Sequence, residues 1–161
     1  MKMKKIPSFE VNHEKLKEGI YVSRKDKVGE NIVTTFDLRF TIPNKEPAMD
    51  TAAVHATEHL AATFLRNDRE WAEKIIYFGP MGCRTGFYLI VSGDLYPKDI
   101  FGLVKRCMEF CIGYEGKIPG ASARDCGNYL DLNLEFAKFY CRKYYDKVLS
   151  EYSEERTVYP E

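Results

Sequence analysis

Two histidines and a glutamate stand at helical spacing in the segment His55-Ala56-Thr57-Glu58-His59. Residues three or four positions apart on a helix project from one face, so the two imidazoles and the carboxylate are expected to lie close together. Imidazoles bind divalent metals well, and a carboxylate beside a metal can transfer protons. Two of the chain's three histidines lie in this segment. The spacing therefore predicts a catalytic metal site.

The alternative is a polar stripe on a helix surface that binds nothing. The flanking residues 52–54 and 60–62 are small or apolar, and polar groups in such surroundings are costly to bury without partners. A catalytic metal usually has three protein ligands and one open position. Cys126 is the best candidate for the third ligand, because it lies between a flexible loop and a helix start, where a thiolate could approach a distant helix.

The other cysteines have different surroundings. Cys83 lies in a glycine-rich turn beside Arg84, and a nearby cation can lower the pKa of a thiol. The residue is therefore either a reactive thiolate or an incidental member of a tight turn. Five cysteines are an odd number, so reduced thiols are expected and a disulfide framework is not. Three of them are predicted to be buried packing residues: Cys107, Cys111 and Cys141.

Composition excludes several classes of protein. The 161 residues are 45% hydrophobic and 30% charged, which is typical of one globular domain spanning residues 1–161. Because 24 basic and 24 acidic residues balance, no nucleic-acid partner is expected. The longest apolar runs fall short of the roughly 20 residues that a membrane helix needs, and no apolar segment follows the basic N-terminus. We therefore expect a cytoplasmic protein without a membrane segment.

Periodicity predicts the elements that would position these residues. Alternating apolar, β-branched and aromatic residues predict strands at 19–28, 32–42, 73–78 and 86–93. Helical periodicity predicts helices from a cap at Asp50 or Thr51 to residues 66–68, over 98–114 after Pro97, and over about 132–149. The expected fold class is α+β, with a mainly antiparallel four- to five-stranded sheet, helices packed on it, and a metal-binding helix carrying His-x-x-Glu-His.

These motifs together resemble the S-ribosylhomocysteine lyase (LuxS) family over residues 8 to about 145. The combination of Pro-Met-Gly-Cys with His-x-x-Glu-His is highly specific, although neither motif is specific alone. The matching segments are Ser8-Phe9 with His13, Phe36-Asp37-Leu38-Arg39-Phe40 before Pro43-Asn44, Asp50-Thr51 with the histidine motif, residues 80–89, and Ile118-Pro119-Gly120-Ala121 with Cys126-Gly127-Asn128-Tyr129.

The resemblance implies a metal-dependent carbon–sulfur lyase. Such an enzyme cleaves S-ribosylhomocysteine to homocysteine and 4,5-dihydroxy-2,3-pentanedione, the autoinducer-2 precursor, by aldose–ketose isomerisations followed by β-elimination. The product would serve quorum sensing or only the recycling of methyl-cycle waste. One Fe²⁺ per subunit is implied, replaceable by Zn²⁺ or Co²⁺, in a homodimer with sites at the subunit interface.

The resemblance also implies roles for individual residues. His55, His59 and Cys126 would be the metal ligands, and Glu58 and Cys83 the general acid/base pair. Four residues would contact substrate or activate Cys83: Ser8, His13, Arg39 and Arg84. From the residues alone, His13 could equally be an idle exposed histidine and Arg39 a solvent-facing arginine in a salt bridge.

Three positions depart from the family pattern. Tyr77 and Gly79 stand where the family usually has an aspartate and a serine, and the aspartate helps to hold the amino-acid end of the substrate. Thr41 replaces a frequent cysteine. The homocysteine moiety is therefore expected to be bound differently in this chain.

Two other functions compete with the lyase. An inverse-zincin peptidase would use Glu58 to activate water, with Glu135 as the third zinc ligand. A structural metal site in a binding protein would instead have a closed set of four ligands, with Cys83 as the fourth.

Overall fold

A four-stranded antiparallel sheet and three α-helices form the part of the chain that the structure, a computed structural model, describes, residues 6–161. The strands are β1 (Gly19–Val28), β2 (Asn31–Arg39), β3 (Ile75–Pro80) and β4 (Gly86–Ser92), in the spatial order β1-β2-β4-β3. The helices are α1 (Thr51–Asn67), α2 (Pro97–Gly113) and α3 (Leu134–Tyr144), and a π-helical turn, Tyr145–Leu149, continues α3. The predicted α+β class is confirmed, with four strands in the sheet.

The two faces of strand β2 have different roles. Successive side chains of a strand point to opposite faces. Phe36 and Leu38 are fully buried in the main hydrophobic core with residues of all three helices. Asp37 and Arg39 alternate with them and therefore project from the opposite face. The sheet thus has one face for packing and another that carries charged groups.

Helix α1 begins and packs as its sequence indicates. The Asp50 side chain accepts hydrogen bonds from the backbone N–H groups of Ala52 and Ala53, which confirms the predicted N-cap. Leu60 and Leu65 are buried against the sheet side of the core, and each such side chain contributes about 1.5–3 kcal/mol on burial. This packing fixes the rotation of α1 about its axis and hence the direction of the histidine motif.

Most predicted boundaries lie within one or two residues of those in the structure, and the differences at three of them have a clear local cause. Strand β2 ends at Arg39 instead of residue 42, because the N–H groups of Phe40 and Thr41 both donate to the Thr85 carbonyl and leave the strand ladder. Residues Ala72–Lys74 form a 3-10 turn, so β3 begins at Ile75. Helix α3 begins at Leu134, where the Asn133 side chain caps it. Within the described residues, no helix is both long and apolar enough to cross a membrane.

Candidate active site and metal centre

Three potential metal donors converge between helix α1 and the loop before α3. Donor atoms of His55, His59 and Cys126 all lie within 4.8 Å of one another. The Cys126 sulfur is 3.3 Å from Nε2 of His55. Tetrahedral ligands that bind zinc at about 2.0–2.3 Å lie roughly 3.3–3.8 Å apart, so this set fits a borderline divalent metal. The cluster brings together the three residues that the sequence analysis selected as ligands.

Backbone carbonyls orient both imidazoles. Nδ1 of His55 lies 2.8 Å from the Asp131 carbonyl oxygen, and Nδ1 of His59 lies 2.6 Å from that of Pro119. Each Nδ1–H therefore donates to a carbonyl, which leaves the Nε2 lone pair free to bind a metal. The loop from Ile118 to Cys126 thus supplies one potential ligand, Cys126, and also orients another, His59. The backbone N–H of Asn128 lies 3.4 Å from the Cys126 sulfur and can donate to it.

Glu58 lies beside this cluster and lines an adjoining cavity. Its Oε2 atom is 3.9 Å from Nε2 of His59, and its side chain is 31% exposed. The cavity, of about 430 Å³, is also lined by His55, Tyr77 and Arg84. The carboxylate is therefore accessible from this cavity, which is called the metal-side cavity below.

A second cavity, called the thiol-side cavity below, is lined by Cys83. Its volume is about 630 Å³, and Cys83 lines it together with Ser8, His13 and Arg39. The histidine is partly buried, with Nδ1 2.9 Å from the Val11 carbonyl oxygen. Three of the four residues that the family resemblance suggests for substrate binding, Ser8, His13 and Arg39, therefore line the same cavity as Cys83. The fourth, Arg84, lines the metal-side cavity instead. Met81 and Gly82 line both cavities and form the wall between them.

The surroundings of Cys83 favour its thiolate. Burial acts to raise the pKa of the thiol, but hydrogen bonding to Thr85 and the charge of Arg39 outweigh it, so the pKa of Cys83 is lower than usual. The sulfur is 3.1 Å from Oγ1 of Thr85 and 3.9 Å from Nη1 of Arg39. Arg39 is itself held by a bidentate pair with Asp37, at 3.1 and 2.5 Å. The buried ion pair with Asp37 therefore holds the Arg39 guanidinium beside the Cys83 sulfur.

The cation beside the thiol is not the one that the sequence suggested. Arg84 adjoins Cys83 in the chain, but its guanidinium lies 3.3 Å from the Met49 carbonyl oxygen and donates to it. Its backbone is in the left-handed region, with φ of 56°, within the turn that joins β3 to β4. The cation beside the Cys83 sulfur, whose charge helps to lower the pKa of the thiol, is Arg39. The alternative of a solvent-facing Arg39 is wrong, because this residue is only 3% exposed.

Sequence reasoning missed three contributors to the site. Asp37 stands two positions before Arg39 on the same face of β2, and that spacing could have revealed the pair. Thr85 lies in the conspicuous turn, but nothing local indicates that its hydroxyl contacts the sulfur. Tyr159 donates a hydrogen bond of 2.9 Å to Asp37 from the far end of the chain. A single aromatic residue near a terminus gives no signal of such a contact.

Two departures from the family pattern are physically linked. Tyr77 and Gly79 lie on the same side of β3, and the Tyr77 phenol occupies the space that a Cβ atom at Gly79 would fill. Tyr77 is 49% exposed and lines the metal-side cavity. A glycine at position 79 therefore permits the tyrosine to lie across the strand. Thr41, the third departure, is buried, and its hydroxyl has no hydrogen-bond partner among the described residues.

The competing ligand sets receive less support from this geometry. Glu135 is exposed in the first turn of α3, and the donor that joins the two histidines is Cys126. Cys83 lines the thiol-side cavity and is not among the donor atoms that cluster with the two histidines. All five cysteines are free thiols, and three are buried as expected: Cys107, Cys111 and Cys141.

Comparison with known proteins places this arrangement in context. Residues 6–155 match the family described as S-Ribosylhomocysteinase (LuxS). The chain is 60% identical to an S-ribosylhomocysteine lyase of Finegoldia magna, over 99% of this chain and 100% of the relative. It is 56% identical to the S-ribosylhomocysteine lyase of Clostridium beijerinckii and 52% identical to that of Desulfotalea psychrophila. Each of these two matches covers 98% of this chain and 99% of the relative.

Proposed function

Because this chain belongs to the S-ribosylhomocysteinase (LuxS) family, we propose that it cleaves S-ribosylhomocysteine to homocysteine and 4,5-dihydroxy-2,3-pentanedione. The observation that carries the proposal is the pairing of a His-His-Cys metal cluster with a cysteine whose pKa is lowered. A carboxylate beside the metal and a thiolate in a substrate-sized cavity are two proton carriers. Such groups can carry out the repeated proton transfers between neighbouring sugar carbons.

His55, His59 and Cys126 would hold the divalent ion. We propose Fe²⁺, with Zn²⁺ or Co²⁺ able to replace it, and when bound it supplies Lewis acidity toward the sugar oxygens. Glu58, with Oε2 3.9 Å from Nε2 of His59, can remove a proton from a sugar carbon and return it to the neighbouring carbon. Cys83 can do the same as a thiolate from the other side of the sugar.

After the ribose ring opens to the C1 aldehyde, two such transfers move the carbonyl from C1 to C2 and then to C3. In each, the proton of the hydroxyl that becomes the new carbonyl passes to the former carbonyl oxygen. The proton at C4 is then acidic because it is adjacent to the carbonyl. Its removal by one of the two bases expels the homocysteine thiolate from C5, so the C5–S bond breaks as the C4–C5 double bond forms. The enol product then gains a proton at C5 and loses the proton of its C4 hydroxyl, which gives the dione. The sequence involves no net oxidation and no organic cofactor.

The distribution of the two bases supports a homodimer. Glu58 and Cys83 line different cavities of one chain, separated by the wall at Met81 and Gly82. We propose that each complete site joins the metal-side cavity of one subunit to the thiol-side cavity of its partner. Tyr129 and Leu130, 39% and 81% exposed in the segment after Cys126, would contribute apolar surface to that interface.

The homocysteine end of the substrate would lie in the metal-side cavity. Tyr77 and Arg84 both line this cavity beside Glu58. We propose that the Arg84 guanidinium binds the substrate carboxylate, since Arg and carboxylate form strong charge-assisted hydrogen bonds. The Tyr77 ring stands where the family usually has an aspartate, and it can contact the ammonium group through its π face. The free thiols of all five cysteines support a reducing, cytoplasmic location.

The test of the proposed activity is release of free thiol from S-ribosylhomocysteine by the protein loaded with Fe²⁺ or Co²⁺. Wild-type protein should release homocysteine, while Glu58→Gln and Cys83→Ala should bind the metal and lose the activity. Near wild-type turnover by either variant would contradict the two-base scheme. Peptide hydrolysis by a Cys126→Ala variant that still binds metal would favour a peptidase instead.

Mixing the two inactive variants tests the shared site. In a mixed dimer, the Cys83→Ala subunit supplies an intact Glu58 and the Glu58→Gln subunit supplies an intact Cys83. Activity should therefore reappear at one of the two sites after subunit exchange. If both bases acted within one subunit, every site in the mixture would lack one of them, and no activity would return.

A further inference from the structure

The C-terminal segment reaches the thiol-side cavity through one tyrosine. The hydroxyl of Tyr159 lies 2.9 Å from Oδ2 of Asp37 and donates to it, and the residue lines the cavity that contains Cys83. Tyr159 lies beyond residue 155, where the match to the family ends.

A continuous set of contacts connects Tyr159 to the reactive sulfur. Asp37 accepts from Tyr159 and from Nη2 of Arg39 on the same oxygen, Oδ2. The other end of the guanidinium, Nη1, donates to Thr85 at 2.6 Å and approaches Cys83 at 3.9 Å. The side chains of Arg39 and Asp37 are only 4% and 2% exposed. Because this ion pair is shielded from water, its orientation is set by protein contacts.

The tyrosine ring is itself fixed in place. It stacks on Tyr21, with ring centroids 4.8 Å apart and an interplanar angle of 13°. Tyr21 lies opposite Asp37 in the register between β1 and β2, so the stack puts the Tyr159 hydroxyl over the carboxylate. Both phenols have a raised pKa, mainly through burial and then through the negative charge of Asp37. The Tyr159 hydroxyl therefore remains a neutral donor throughout the physiological pH range.

The rest of the tail is tied to the segment that precedes β1. Arg156 donates to the Glu18 carbonyl oxygen at 2.9 Å, and Lys15 donates to the Glu161 carbonyl oxygen at 2.8 Å. Tyr159 lies between these two attachments. The segment that they bind also contains His13, which lines the same cavity. The tail thus closes over this side of the sheet and is held at both of its ends.

We propose that Tyr159 is a positioning residue for the lyase site: its hydroxyl orients Asp37, which holds Arg39 against Cys83. The inference rests on the proposed function only for its catalytic consequence, because its effect on the thiol can be measured without substrate. Without the hydroxyl, the Asp37 carboxylate loses one of its fixed donors and is freer to rotate. Arg39 is then held less firmly beside the sulfur, and the thiolate is less stabilised.

Tyr159→Phe tests this positioning role, because the substitution keeps the ring that stacks on Tyr21 and removes only the hydroxyl that donates to Asp37. We expect the pH profile of Cys83 alkylation by iodoacetamide to move to higher pH, with a rate at neutral pH about three- to tenfold lower. To isolate Cys83, the alkylated peptide is quantified by mass spectrometry. Tyr152→Phe is the matched control, since Tyr152 belongs to the same tail but packs edge-on against Phe101. This control should leave the profile unchanged.

Each remaining outcome decides the proposal. An unchanged alkylation profile in Tyr159→Phe, or one moved to lower pH, would overturn it and reduce Tyr159 to a packing residue. A shifted profile that Tyr152→Phe reproduces would also overturn it, because the effect would then come from general loosening of the tail. If the profile shifts in Tyr159→Phe alone but wild-type protein releases no thiol from S-ribosylhomocysteine, the positioning role stands and the proposed substrate fails.

Discussion

Arg39 and Cys83 are 44 positions apart in the sequence, yet Nη1 of the arginine lies 3.9 Å from the cysteine sulfur. Strand pairing brings them together, because Arg39 lies opposite Gly86 in the register between β2 and β4, and Cys83 lies in the turn just before that glycine. A Cβ atom at position 86 would collide with the backbone of β2 at Leu38. The glycine therefore allows the close approach that places a cation beside the thiol.

Removing that cation should make Cys83 a weaker acid. The pKa of the thiol is lowered partly by the charge of Arg39, so Arg39→Gln should raise it and reduce the thiolate fraction at neutral pH. We expect alkylation of Cys83 to slow about five- to tenfold at neutral pH, since solvent screens part of the charge at a half-exposed sulfur. The rate should recover at alkaline pH. Equal slowing at every pH would point to altered access instead.

The hydroxyl of Thr85 should act on the same thiol. Its Oγ1 is 3.1 Å from the sulfur and 2.6 Å from Nη1 of Arg39. Thr85→Val keeps the branched shape but leaves both partners without this contact, so the pKa of Cys83 should rise. Thr85→Ser retains the hydroxyl and serves as the control. We expect the alkylation profile to move to higher pH in the valine variant and to stay close to wild type in the serine variant.

The loop glycines allow a test of how the metal ligands are held. Gly120 has φ of +71°, and a Cβ there would lie 3.2 Å from Nδ1 of His59, the nitrogen bonded to the Pro119 carbonyl oxygen. Gly120→Ala should therefore disturb the imidazole and weaken metal binding about tenfold, as the loss of an orienting partner does. Titration with Co²⁺, followed by its visible absorption, measures this affinity.

Gly116→Ala is the control for backbone strain. Gly116 also has a positive φ, of +95°, but open space surrounds the position of its missing Cβ. Both alanine variants should lose about 1–2 kcal/mol of stability from the left-handed backbone. The affinity for Co²⁺ should fall in Gly120→Ala alone. A similar fall in both variants would mean that the strain of the loop, and not contact with His59, governs the metal site.

Local sequence signals were sufficient to predict the helices and strands approximately, including helix α1, which carries the His-x-x-Glu-His motif. The Asp50 cap, the apolar periodicity of α1 and the spacing of His55 and His59 all depend on residues within one helix. The same kind of signal failed at the end of β2. There the residues keep a strand-like composition, but hydrogen bonds from Phe40 and Thr41 to Thr85 end the ladder. Those bonds depend on a residue that lies far away in the sequence.

The electrostatics of Cys83 could not be derived from its neighbours in the chain. Adjacency favoured Arg84, but the turn directs that side chain to the Met49 carbonyl. The true partner, Arg39, is defined by strand register and by its pairing with Asp37. The family resemblance named Arg39 as a site residue without giving this reason. Non-local geometry was therefore the missing information, both here and for Tyr159.

The contact between Tyr77 and Gly79 should appear as a coupling between two substitutions. Gly79→Ser introduces a Cβ into the space that the Tyr77 phenol occupies, so the ring must leave its position across β3. In wild-type background this should cost about 0.5–1.5 kcal/mol, the usual cost of moving a side chain off its rotamer, because the half-exposed phenol can swing toward solvent. In a Tyr77→Asp background the space is free, and Gly79→Ser should cost far less. Chemical denaturation of the four proteins measures the coupling free energy. Additive costs would mean that the phenol moves aside freely and that the glycine at position 79 does not depend on the tyrosine at position 77.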